Sequence, residues 1–122
     1  MSERGPVVLV DARNALRSQW PNIPEAELVE RCRGWAEAED VRAVVVFDGR
    51  APRLDLGRDC RVVGTGAETA DDWLIRETAR LRERAEPFWL VTSDRALRSA
   101  AAPGAERVIG GGAFARLLPP AE

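Results

Sequence analysis

Apolar residues fall along the chain in short unbroken runs rather than in the alternation of a half-exposed sheet. Val7-Val8-Leu9-Val10 is the first run, and it opens on Asp11. A run without polar interruption predicts a strand covered on both faces, as in a parallel sheet. Val41 to Phe47 is a second run, ending on Asp48-Gly49, and Arg61-Val62-Val63 is a short third. Phe88-Trp89-Leu90-Val91 is a fourth, ending on Thr92-Ser93-Asp94, and Arg107-Val108-Ile109 is the last. Between these runs the spacing turns helical. A helix is expected to start near Pro24, with proline in its first turn and acids behind it. Its apolar positions are Leu28, Cys32 and Trp35, with Val29 and Ala36 beside them. From Thr69 or Ala70 to about Arg84 the pattern sets Trp73, Leu74, Thr78 and Leu81 on one side. Arg95 to Ala101 predicts a short helix and Ala113 to Leu118 a last turn or two. Asp11 to Ser18 reads as a short polar stretch and Arg50 to Asp59 as a loop of Pro, Gly and mixed charge. Gly64-Thr65-Gly66 and Pro103-Gly104 read as turns.

Strands alternating with helices predict an α/β fold, a parallel or mostly parallel sheet with helices on its faces. No repeat, low-complexity tract or linker interrupts the pattern, and the 122 residues are read as one domain, 1–122. Leu118-Pro119-Pro120 is expected to end the fold.

Composition then narrows the chemistry. There are 18 basic and 20 acidic residues, a net charge of −2, and every basic residue is Arg. Without a basic tail, a nucleic-acid partner does not follow from net charge; binding would need a local Arg patch and metal. The chain has no His, Tyr or Lys. Ser-His-Asp and Cys-His nucleophile systems are therefore excluded in their usual form. So are a P-loop and a receiver-type phosphoacceptor site, both of which rely on a Lys. Cys32 and Cys60 stand far apart without CxxC spacing and read as reduced thiols of a cytosolic protein. A Cys-rich zinc site is not available. The charged segment before Val7 has neither the form of a signal peptide nor the length of a membrane span. Carboxylates remain as the main chemical tools.

Three apolar strands end in an acid: Asp11, Asp48 and Asp94. In open α/β sheets, ligands bind outside the carboxyl ends of the strands. One Asp after a strand is ordinarily a turn former or a helix N-cap, and Asp94 before Arg95-Ala96-Leu97 suits a cap. Three such acids ask for more. A second group is Glu68-Thr69-Ala70-Asp71-Asp72, opening the helix after the Gly64-Thr65-Gly66 turn. Thr69 with Asp72 is close to a capping box, and acids suit a helix N-terminus. Three acids within five residues still exceed what a cap needs, and like charges so close call for a cation. Mg²⁺ and Mn²⁺ prefer carboxylate oxygens and water. The partial GxGxxG at Gly64-Thr65-Gly66-Ala67-Glu68-Thr69 lacks its last glycine, which counts against dinucleotide binding.

Val10-Asp11-Ala12-Arg13-Asn14, Val45-Val46-Phe47-Asp48-Gly49, Glu68-Thr69-Ala70-Asp71-Asp72 and Val91-Thr92-Ser93-Asp94 resemble, in order and rough spacing, the NYN domain. The likeness is to its bacterial YacP-like branch, within the PIN-like nuclease superfamily. The resemblance implies a three-layer α/β/α PIN-like (Rossmann-like) domain with a mostly parallel central sheet. It also implies divalent-metal-dependent cleavage of RNA. Asp11, Asp71 (or Asp72) and Asp94 match the family's metal-binding acids, with Asp48 and Glu68 as further members. Asn14 matches the family's Asn after the first strand, and Ser93 sits where a small hydroxyl residue supports the site. One departure is plain. The family usually has Asp-Gly-Tyr-Asn, and here Asp11-Ala12-Arg13-Asn14 puts Arg13 in place of an aromatic.

The expectation is a metal-dependent nuclease, in the first instance an endoribonuclease, with Mg²⁺ or Mn²⁺ as cofactor. Asp11, Asp71 and Asp94 would be direct ligands. Asp72, Glu68 and Asp48 would be further ligands, water-mediated contacts or general base. Asn14 and Ser93 would orient ligands or the phosphate. Arg13, Arg50, Arg95 and Arg98, beside these acids in sequence, would meet the RNA backbone. The expected location is cytoplasmic, without a membrane partner, and a ribosome or another protein is a further candidate partner. The alternative is a catalytically weak RNA- or protein-binding module that keeps the fold. On that reading Trp20 could offer a stacking surface, while Trp73 and Trp89 belong to the core. A metal-dependent phosphatase ranks lower, because Arg13 stands where an Asp-x-Asp signature needs its second acid.

Overall fold

The unbroken apolar runs form the middle of a sheet. The computed structural model describes residues 5–18, 23–54 and 57–120. Its strands are β1 (Val7–Asp11), β2 (Arg42–Phe47), β3 (Cys60–Gly64), β4 (Phe88–Val91) and β5 (Arg107–Ile109). All are parallel, in the order β3-β2-β1-β4-β5. The helices are α1 (Ala12–Arg17), α2 (Glu25–Glu39), α3 (Ala70–Glu83), α4 (Arg95–Ala101) and α5 (Gly111–Leu117).

β1 lies at the centre and is buried along its whole length. Its side chains alternate between two layers, as the pleat requires. Val8 and Val10 face a core built with α1, α2 and α5, where Leu28, Cys32, Trp35 and Phe114 pack. Val7 and Leu9 face the opposite core, built with Leu74 and Leu81 of α3 and Leu97 of α4. The result is the three-layer α/β/α arrangement expected from the runs. Trp35 anchors the first layer, with its ring 5.0 Å from Phe114 edge-on and 6.3 Å from Trp89.

Two local expectations are corrected. The polar stretch after β1, for which no element was expected, is a helix, α1. Asp11 caps it, accepting from the Asn14 N–H, and Ala12 and Ala15 bury its inner side. Six residues are too few to display a helical period. The last helix begins at Gly111, earlier than Ala113, because Gly110 and Gly111 lie close against neighbouring segments. Trp20 lies outside the described residues. Among those described, no helix is long and apolar enough to cross a membrane.

The β2–β3 connection departs from the usual pattern. Adjacent parallel strands are ordinarily joined through a helix. Here no described residue between Phe47 and Cys60 is helical. The connection returns along the open edge of β3, with Ala51 packed onto the α2-side core.

Phe114 is fully buried against Trp35. Phe114→Ala is expected to lower the unfolding free energy by about 3–5 kcal/mol, read from urea denaturation.

Candidate active site

The strand order places the site. β1 sends its chain to the α1/α2 face and β4 sends its chain to the α4 face, so the connections part between these two neighbouring strands. Such a switch point leaves a crevice at the carboxyl ends of the strands. A cleft of about 190 Å³ opens there, lined by Asp11, Arg13, Asn14, Arg17, Asp48, Thr69, Asp71 and Asp94.

Three of the four carboxylates double as helix caps. Asp11 accepts from Asn14 N–H at 3.4 Å at the start of α1. Asp94 accepts from Leu97 N–H at 2.9 Å at the start of α4. Asp48, at the end of β2, reaches across to accept from Ala70 N–H at 2.8 Å at the start of α3. In each case Oδ1 takes the cap. The capping reading and the cleft reading therefore hold together: at Asp48 and Asp94 one oxygen holds a helix and the other remains for the cleft, while the second oxygen of Asp11 takes the Thr92 hydroxyl. Asp71 stands on the first turn of α3, whose N-cap is Thr69.

Hydrogen bonds lock the frame around these acids. The Thr92 hydroxyl is fully buried, donates to Asp11 Oδ2 at 3.1 Å and accepts from Asp94 N–H at 3.2 Å. Asn14 Oδ1 accepts from Ser93 N–H at 2.9 Å, tying α1 to the end of β4. Ser93 Oγ in turn accepts from Gly111 N–H at 2.8 Å. Gly111 has no room for a side chain, since a Cβ there would lie 3.0 Å from the Asn14 carbonyl and against its Oδ1.

The electrostatics are those of a cluster short of cations. Burial pushes the Asp11 carboxyl above its ordinary value; its hydrogen bonds from Thr92 and Asn14 pull the other way, and the charges of Asp71 and Asp48 add to the rise. Asp71 is also raised, by desolvation first and then by Asp94, Asp48 and Asp72, with Arg13 opposing. Arg13 is largely exposed at the mouth, its Nη1 4.0 Å from Asp48 Oδ2.

Mg²⁺ or Mn²⁺ suits this donor set, which is all oxygen, acidic and under mutual repulsion. Among the described residues no three acids stand close enough together to ligate one ion as a group. The cleft therefore fits an ion held by one or two carboxylates and otherwise by water, as Mg²⁺ commonly is.

No family model matches the chain, and no curated protein matches it in sequence. The crystal structure of Rae1 (YacP) from Bacillus subtilis aligns with a TM-score of 0.69 at 21% identity, over 92% of this chain and 72% of that one. A tryptophan-to-leucine variant of the same protein gives 0.68 and 19%, over 92% and 74%. The chain has the fold of Rae1. The YacP-like resemblance of the sequence blocks thus holds at the level of the fold.

On this Rae1-like frame the expected residues divide. Asp11, Asp48, Asp71, Asp94, Asn14 and Arg13 come together at the cleft. Asp72 does not line it: successive helical residues point about 100° apart, and Asp72 is exposed, with its N–H capped by Thr69. The ambiguity between Asp71 and Asp72 resolves toward Asp71 in position. Glu68 is also outside; both its oxygens pair with Arg76, one at 2.9 Å. Ser93 holds the start of α5 instead of lining the cleft. Arg98 is engaged through Nε with the Thr92 carbonyl at 2.8 Å. Arg95 is exposed on α4 and Arg50 lines a different groove. Thr92 and Thr69, inside two of the quoted blocks but assigned no site role there, and Arg17, in no block, also belong to the site. The one available signal is at Thr92, a hydroxyl close before a capping Asp at a strand end.

Asp71 keeps its proton to a higher pH folded than unfolded. The folded state then binds more protons between the ordinary 3.8 and the raised value, so this group's contribution to stability falls as pH rises through that window. In EDTA at pH 7.5, Asp71→Asn should raise the melting temperature. That advantage should shrink as the pH is lowered toward the ordinary carboxylate value. Thermal melts at the two pH values check it; a lower melting temperature for the variant at pH 7.5 would contradict it.

Proposed function

We propose that the protein is a divalent-metal-dependent ribonuclease that hydrolyses RNA phosphodiester bonds. The observation that carries this reading is the convergence of Asp11, Asp48, Asp71 and Asp94, from four separate elements, on one cleft at the switch point of the sheet. The likeness of the sequence blocks to the YacP-like branch and the Rae1 fold support it. So does the lack of His and Lys, which leaves carboxylate-based hydrolysis as the chemistry at hand.

Asp71 and Asp94 would hold Mg²⁺ or Mn²⁺, with Asp11 and Asp48 as the other acids able to reach it directly or through water. Bound there, the ion would supply Lewis acidity toward the phosphate and a water of lowered pKa. The chain's own residues have the remaining work. Thr92 and the Asn14 N–H fix both oxygens of Asp11, so its carboxylate stays oriented without rotamer search. Asp48 Oδ2, which faces the cleft beside Arg13, would accept a proton from an attacking water. Arg13 at the mouth offers a guanidinium to a phosphate oxygen, a fork geometry suited to that group. Asn14 keeps the end of β4 fixed, so Asp94 does not drift from Asp11.

A second reading is an RNA-binding module without cleavage. What favours it is that no three of the described acids are gathered as a ready ligand group, together with Arg13 in place of the family's aromatic.

End-labelled single-stranded and structured RNAs, incubated with Mn²⁺, Mg²⁺ or EDTA, separate the two. Cutting with metal and none in EDTA is expected, reduced by about 100-fold or more in a folded Asp71→Asn/Asp94→Asn variant. RNA binding with no cutting in any metal would leave the module reading standing.

A further inference from the structure

A groove of about 1160 Å³ runs along the open edge of β3, between that strand and the helix-free β2–β3 connection. Arg50, Arg53, Arg58 and Arg61 line it, all exposed, and no acidic or aromatic residue does so among the described residues. Four arginines of α2 and α3 are paired with acids: Arg31 with Glu27, Arg33 with Glu30 and Glu37, Arg76 with Glu68, Arg80 with Glu77. In the groove, Arg50, Arg53 and Arg61 have no ion pair with any described residue.

The groove and the acid cleft meet at neighbouring residues of the chain, Gly49 lining the one and Asp48 the other. The Gly49 N–H donates to Thr65 Oγ1 at 3.2 Å. Gly64 passes so close that a Cβ would lie 2.7 Å from the Gly49 carbonyl. From there the groove follows β3 back from Gly64 to Cys60, four steps or about 13 Å.

We propose that this groove holds the sugar-phosphate backbone of single-stranded RNA where it leaves the acid cleft; the proposal rests on the ribonuclease reading. A polyanion is repelled by four carboxylates and by a chain of net charge −2, so its affinity must come from local cation density. The guanidiniums of Arg50, Arg53 and Arg61, spaced along the groove, supply that density in the donor geometry that fits phosphate oxygens. With no aromatic lining, the contact is to backbone and not to bases, so it is indifferent to sequence.

The test is fluorescence anisotropy in EDTA with a labelled single-stranded RNA of about 12 nucleotides. Arg53→Glu/Arg61→Glu is compared with the charge-matched Arg84→Glu/Arg116→Glu, and Arg53→Gln/Arg61→Gln guards against a folding defect. The groove variants should bind at least about 10-fold more weakly, with a salt slope reduced by about 1.4 for two lost phosphate contacts. The charge-matched variant should stay within a few-fold of the unaltered protein. Equal losses in both glutamate variants, no loss in either, or displacement of the RNA by poly-glutamate at equal charge would overturn the assignment. The cleft is read separately, through Mn²⁺-dependent hydrolysis of a small phosphodiester by the unaltered protein. No hydrolysis there, with groove-dependent RNA binding intact, removes the ribonuclease reading and leaves the groove.

Discussion

The structure turns on holding several carboxylates close together at one edge of a sheet. Like charges gathered in one cleft repel, and for Asp11 burial adds to the cost. The fold answers with backbone N–H groups. Asp11, Asp48 and Asp94 each take a hydrogen bond from the start of a different helix. A cap of this kind is worth about 1 kcal/mol, with a smaller contribution from the helix dipole. For Asp11 the balance is readable: its hydrogen bonds favour the charged form, burial opposes it, and burial wins. What is left over is a standing demand for positive charge, met only in part by Arg13 at the mouth.

The sheet topology makes this placement possible. Parallel strands bring all their carboxyl ends to one edge, and the divergence of the connections after β1 and β4 leaves space there. Small residues then let the parts close up. Gly111 sits against Asn14 where a Cβ would not fit, and Ala12 and Ala15 let α1 lie flat on the sheet. Thr92 joins the ends of β1 and β4 by a single buried hydroxyl. Cleft and core are in this sense one construction, since the residues that fix the acids also fix the helices.

Much of this was legible in the chain. Apolar runs named the three central strands, which are covered on both faces, and shorter apolar pairs behind an Arg named the edge strands β3 and β5. The acids closing three of those runs identified the working edge. α1 was hidden, because six residues show no period and its stability comes from Asp11 and from burial, both tertiary. Asp71 and Asp72 could not be told apart, since adjacency in sequence hides the turn of the helix between them. Glu68 looked like a site acid, because a pair with Arg76 eight positions away has no local signature. The arginine groove was out of reach for a similar reason. Only the path of a connection without a helix brings Arg50, Arg53, Arg58 and Arg61 to one side of β3.

The double use of the aspartates has an evolutionary consequence. Asparagine caps a helix about as well as aspartate, and it carries no charge into a crowded cleft. A single base change converts an Asp codon to an Asn codon. At Asp48 or Asp94 such a change keeps the helix start in place while removing a negative charge from the cluster. On the proposed nuclease reading, the fold thus offers an easy route from enzyme to pseudoenzyme, along which folding gives selection no reason to resist. Only a need for the activity itself would keep those positions acidic, so a lineage that loses the need can keep the architecture and lend it to binding alone.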